Sequence, residues 1–103
     1  MLTLIVLLSV HPGHESEFEQ FESAAAQIMG RYGGKLERRI GRTSHSEVGQ
    51  PDEVHIVTFP DHAAFQRYRA DADLASLADL RSRAIRQTTI WYGADLGDFN
   101  TMI

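Results

Sequence analysis

The chain has 103 residues, 43% hydrophobic and 23% charged, a composition that fits one soluble globular domain and excludes a disordered segment. A net charge of −4 and a pI near 5.6 argue against nucleic acid or an anionic membrane as main partner. There is no cysteine, which removes disulfides, thiolate nucleophiles and Cys-ligated zinc.

The opening run MLTLIVLLSV is apolar on both alternating faces, Leu2, Leu4, Val6 and Leu8 on one and Ile5 and Leu7 on the other. No Lys or Arg precedes it, no small-residue cleavage site follows it, and about ten residues are too few to span a bilayer. It therefore predicts a strand covered on both sides, in a cytoplasmic protein with no export signal. Pro12 and Gly13 turn the chain, and Glu15, Glu17 and Glu19 suit the positive end of a helix. That helix is expected to reach Tyr32, with Phe18, Phe21, Ala25, Ile28 and Tyr32 on one face and Gly33-Gly34 as its stop.

Lys35 to Thr43 alternates Leu36, Arg38 and Ile40 against Glu37 and Arg39, the pattern of a half-exposed strand. A polar connection leads to a second strongly apolar strand, Glu53 to Phe59. Asp61 is placed to cap a helix whose inner face carries Phe65 and Tyr68. Asp73 is expected to cap a second piece running from Leu74 to Gln87. Thr88 to Gly93 reads as the last strand, and residues 94–103 remain a tail outside a domain of residues 1–93. Phe99 and Ile103 make that tail apolar enough to dock on a partner subunit.

The order is β-α-β-β-α-β, an α+β ferredoxin-like arrangement with a four-stranded antiparallel sheet and its helices on one face. Helices on one face leave the other apolar face uncovered. The economical cover is the same face of a second copy, so the expectation is a homodimer, a dimeric α+β barrel.

One residue departs from the pattern. At ~100° per residue, Leu74, Leu77, Ala78, Ala84 and Ile85 form a stripe, and Arg81 falls in its middle. A guanidinium aimed into a core needs an anion or a wet cavity. Two readings stay open: an anchor for a ligand's carboxylate or enolate, or a structural role, as an internal ion pair with Asp61, Glu53 or Asp71 or as a long stem snorkelling to the rim.

The stretch VHIVTFPDHAAFQRYRADADLASLADLR resembles a domain-of-unknown-function family of the dimeric α+β barrel superfamily, through Phe59, Pro60, Asp61, Phe65, Tyr68, Asp73 and Arg81. Pro12 to Phe21 is also similar to the strand-to-helix turn of the antibiotic-biosynthesis-monooxygenase branch. The resemblance spans most of residues 2–93. It implies a ligand cleft between helices and sheet, in a superfamily that includes cofactor-free monooxygenases, isomerases, haem-degrading enzymes and members without known activity.

His55, mid-strand, is the candidate general acid or base if it faces the helices, and an interface residue if it faces a partner sheet. Trp91 and Tyr92 alternate, so one addresses each side of the sheet, and both are candidate ligand contacts with Arg81 and Tyr68. His11 and His14 lie three apart without a third ligand at motif spacing, so no metal is expected. No phosphate-cradling loop and no haem signature appear, so no cofactor is expected either. These residues predict a dimeric module that binds a small anionic or oxygenated organic molecule. The alternative is a cofactor-independent monooxygenase or isomerase-like enzyme acting on an enolizable acid.

Overall fold

The computed structural model describes residues 1–99, so Ile103 of the tail lies outside the described residues. Four strands, β1 (Leu2–Val10), β2 (Lys35–Gly41), β3 (Glu53–Phe59) and β4 (Ile85–Gly93), form one sheet in the order β2-β3-β1-β4. Every neighbouring pair is antiparallel. The helices are α1 (Glu15–Gly30), α2 (His62–Arg69), α3 (Ala72–Ala75) and α4 (Ala78–Ala84). The expected second helix is thus in three pieces, because the chain jogs at Ser76 and Leu77 between α3 and α4.

β1 sits at the centre because it is apolar throughout. Its even-numbered residues meet the helices. Leu4 and Leu8 are buried there, while Ile5 and Leu7, on the other face, remain partly open. Two clusters make up the core. Leu4, Val57, Phe59, Phe65, Ala64 and Met29 pack at one end of the sheet. Leu8, Phe18, Phe21, Ala25, Ala84 and Ile85 pack at the other. Each fully buried large side chain, such as Phe59, contributes roughly 1.5–3 kcal/mol by leaving water.

The α1–β2 turn depends on two glycines. Gly33 has φ +72°, where side chains with a Cβ are strained. At Gly34 a Cβ would collide with Met29 and Phe59, so the helix end lies directly on the core.

Three details differ from the sequence reading. The alternation of β2 shifts at a bulge between Leu36 and Arg38, so Leu36 pairs with Val57 whereas Arg39, not Arg38, pairs with His55. Asp71, not Asp73, caps α3, accepting from the Asp73 and Leu74 amides. Asp73 instead pairs with Arg31 at 2.7 Å. The final strand begins at Ile85 rather than Thr88, because Ile85 pairs with Val10 and the His11 amide takes the Ala84 carbonyl at 2.8 Å. Asp61 does cap α2, accepting from the Ala64 amide at 2.8 Å.

Candidate functional site

Between the two core clusters a cavity of about 420 Å³ opens under α1, α2 and the α3–α4 segment. Its floor is the helix-facing side of the sheet, including Leu4, Val6, Leu8, Val57 and Ile90. The volume falls within the range of small-molecule sites, and so does the chemistry: apolar walls with a few convergent polar groups. Those groups are Glu22 from α1, His55 from β3, Tyr68 and Arg69 from α2, Arg81 from α4 and Thr88 from β4. Phe65 adds an aromatic wall.

His55 faces the helices, which settles the parity left open by two apolar faces. Its register partner is Val6, another helix-facing residue, and its side chain is only 3% exposed. Nε2 lies 2.9 Å from the Glu53 carboxylate, and Nδ1 lies 3.6 Å from Glu22. The second separation is an ion-pair distance, longer than a hydrogen bond. Glu53 is itself held by Arg39, whose Nε and Nη2 donate to its two oxygens at 2.7 and 3.0 Å. Arg39 also pairs with Glu19 on α1. A chain of polar contacts therefore runs from the surface at Glu19 through Arg39, Glu53 and His55 to Glu22 at the cavity.

Burial pulls the Glu53 carboxyl upward, but hydrogen bonds from Arg39 and His55 outweigh it and hold the group below its ordinary value. Glu22 behaves oppositely. Its side chain is 14% exposed and accepts no hydrogen bond from any described residue, and burial raises its carboxyl despite the attraction of His55. Tyr68, pushed up to about 12 chiefly by burial, has a hydroxyl with no hydrogen-bond partner among the described residues.

Arg81 lines the cavity without the internal ion pair that would have closed it off. Its Nη2 donates to Thr88 Oγ1 at 2.9 Å, and among the described residues no carboxylate lies within ion-pair distance. The three carboxylates considered as partners are engaged elsewhere. Asp61 caps α2, Glu53 holds Arg39, and Asp71 caps α3 while accepting from Tyr32 at 2.5 Å and Arg31 at 3.2 Å. Arg81 is also more exposed than its place in the stripe implies, because the break after α3 leaves α4 over the cavity mouth.

The two aromatics of β4 separate. Trp91 does not line the cleft. Its register partner is Ile5, which puts it on the far side of the sheet, 59% exposed. Tyr92 lies on the helix side but at the rim, against Phe65 and His62 at 5.9 Å between ring centres. Arg69 Nη1 donates to its hydroxyl at 3.4 Å. Of the residues singled out from sequence, His55, Tyr68 and Arg81 converge on the cavity, Tyr92 flanks it and Trp91 is excluded. At the Pro12-Gly13 turn, His14 Nδ1 meets Glu17 at 2.5 Å.

Glu22 was missed, although a signal existed. It follows Phe18 by one turn and sits at the edge of the arc formed by Phe18, Phe21, Ala25 and Met29, a charge beside an apolar stripe where Arg81 is a charge within one.

A four-stranded antiparallel sheet with helices on one face and a polar-dotted cleft between them defines a ferredoxin-like α+β protein. The chain belongs to the DUF1330 family, a domain of unknown function whose model matches residues 4–93. No curated protein sequence matches it at a significant level. Among solved structures, RPA0582 of Rhodopseudomonas palustris, a protein of unknown function, superposes with a TM-score of 0.79 at 16% identity, covering 94% of this chain and 83% of its own. SnoaB, a cofactor-independent oxygenase from Streptomyces nogalater, gives 0.71 at 19% identity over 95% of each chain. A dabb family protein with a ferredoxin-like fold from Mesorhizobium loti gives 0.65 at 19% identity, over 93% of this chain and 97% of that one. At these identities the likeness is one of fold. Among the described residues, no helix is long and apolar enough to cross a membrane.

Proposed function

We propose that the cleft binds a small, mainly apolar organic molecule carrying one anionic or acidic oxygen. One observation carries this reading: Arg81 and Tyr68 line the same cavity, and among the described residues Arg81 gives a single hydrogen bond, to Thr88, while the Tyr68 hydroxyl gives none. A guanidinium with most of its N–H groups free and a phenol with an unused hydroxyl form a ready receptor for a carboxylate, phenolate or enolate. The apolar walls accommodate the rest of the molecule.

The binding test is thermal unfolding against a panel of small carboxylates and aromatic acids. A ligand that raises the midpoint of the wild type, but not of Arg81→Ala or Tyr68→Phe, supports the site. A ligand that stabilises all three equally refutes it.

The second reading, turnover without a cofactor, draws support from Glu22 and His55 at the same cavity. SnoaB indicates that such a fold can host oxygenase chemistry without a cofactor.

We also propose that the chain forms a homodimer through the open sheet face. Ile5, Leu7, Val54 and Ile56 lie there partly exposed, with Ile40 and Trp91 more than half exposed at its edges. A contiguous apolar face of this kind is an interaction surface, and a second copy presents its complement.

A further inference from the structure

We infer that Glu22 is the proton-transfer group of the cleft, acting on the carbon beside the carbonyl of a small aryl- or alkyl-substituted 2-keto acid. The inference rests on the small-molecule reading above and adds the reacting group and the substrate class.

Three features of the geometry assign this role. Glu22 lines the cavity from α1, while Arg81 and Tyr68 line it from α4 and α2, so a bound molecule meets a carboxyl and oxyanion donors at once. The Glu22 oxygens accept no hydrogen bond from a described residue, which leaves them to a ligand. The neighbouring groups, by contrast, are committed. Glu53 is held by Arg39, and His55 is fixed through Nε2 by Glu53 and turns Nδ1 toward Glu22 at 3.6 Å. His55 is therefore a positioning residue beside Glu22. A buried carboxyl that accepts no hydrogen bond is costly to keep, and such groups are characteristic of functional sites.

The substrate class follows from the walls. Phe59, Phe65, Leu4 and Val57 call for an apolar body, and Arg81 calls for an anionic group. In the step, the Glu22 carboxylate takes a proton from the carbon next to the carbonyl. The C–H bond breaks, its electron pair forms the enolate C=C bond, and the carbonyl π pair moves onto oxygen, facing Arg81 and Tyr68. The Glu22 acid then returns the proton to the carbon, or the enolate oxygen takes one from solvent to leave the enol. No oxidant or reductant is consumed. The burial that raises the Glu22 carboxyl strengthens it as a base toward neutral pH. The charged and titratable groups facing it are His55 and Glu53 from β3, Arg39 from β2, Tyr68 from α2 and Arg81 from α4.

The test uses phenylpyruvate in D2O. Loss of its benzylic proton signal is followed by NMR, with binding measured in parallel by ligand-observed saturation transfer. The wild type is expected to accelerate exchange over buffer, and Glu22→Gln to lower that rate about 100-fold while still binding phenylpyruvate. Glu22→Asp, with its carboxylate one methylene back, is expected to retain part of the rate that Glu22→Gln loses. The rising limb of the wild-type pH–rate profile should vanish in Glu22→Gln, a change that a merely structural role would not produce. Binding without exchange, or exchange at the wild-type rate in Glu22→Gln, overturns the assignment and leaves the binding site standing. Absence of binding overturns the small-molecule reading, and the assignment with it.

Discussion

Arg81→Ala separates a ligand site from internal architecture by the size of the stability it removes. The guanidinium makes one hydrogen bond, 2.9 Å to the neutral Thr88 hydroxyl, and lies in an exposed position. A hydrogen bond of this kind is worth about 0.5–1.5 kcal/mol net, and its exposure places it at the lower end. Losing the aliphatic stem over the cavity mouth costs little more, because that stem is already wet. The expected loss is therefore about 1 kcal/mol, or about 4–8 °C in midpoint for a domain of this size. A buried Arg–carboxylate pair broken on one side would cost about 3–5 kcal/mol instead. Urea unfolding at fixed protomer concentration, fitted with a common slope, distinguishes the two. A loss above about 3 kcal/mol would refute the open-site geometry and mean that Arg81 closes an internal ion pair.

Gly34→Ala should destabilise by about 1–3 kcal/mol, because the new methyl meets Met29 and the rigid, buried ring of Phe59. Gly41→Ala, where nothing lies within 4 Å, is the control and should move the urea midpoint little. For Glu22 the folded chain holds its proton to a higher pH than the unfolded chain, whose ordinary value is 4.5, so its contribution to stability falls as pH rises above that value. Glu22→Gln should accordingly be more stable than wild type at pH 7, with the gap closing as pH falls toward 4.5 and constant below it; a gap of the opposite sign in paired urea curves would contradict the burial of this carboxyl. Asp71→Ala removes the α3 cap and the acceptor of Tyr32 and Arg31 together. It should cost about 1–3 kcal/mol and speed amide exchange in α3, measurable by hydrogen–deuterium exchange. Ile56→Asp places a charge on the open sheet face, and sedimentation should show the dimer proposed for the wild type reduced to monomer without loss of helical circular dichroism.

The parts of this fold that were legible in the sequence are those governed by local chemistry. β1 and β3 are apolar on both faces, Asp61 precedes an apolar helix face, and Gly33-Gly34 ends α1. The misread boundaries are governed by distant partners. Ala84 and Ile85 fit a helical period, but Ile85 pairs with Val10 some 75 residues earlier, and that pairing draws it into β4. The β2 bulge likewise depends on register against β3 and leaves no local mark. Of the two aspartates two residues apart, the cap is Asp71, the one that also accepts from Tyr32 just past the end of α1.

At the site, Arg81 was visible as a charge within an apolar stripe. His55 was visible as a polar residue in an apolar strand, but its face was not, since both faces of the sheet are apolar. The alternation that assigns Trp91 to one face and Tyr92 to the other was plain, although which face is which needed the pairing of Ile5 with Trp91. The Glu19–Arg39–Glu53–His55 chain links α1, β2 and β3 and exists only once the sheet has formed.

The most direct measurement is a titration of isotope-labelled protein with phenylpyruvate, following backbone amide and side-chain NMR signals. A binding cleft between helices and sheet predicts shifts that saturate together at Glu22, His55, Tyr68 and Arg81, with Trp91 and Ile56 on the far side of the sheet unmoved. Shifts confined to Trp91 and Ile56, or none at millimolar ligand, would contradict it.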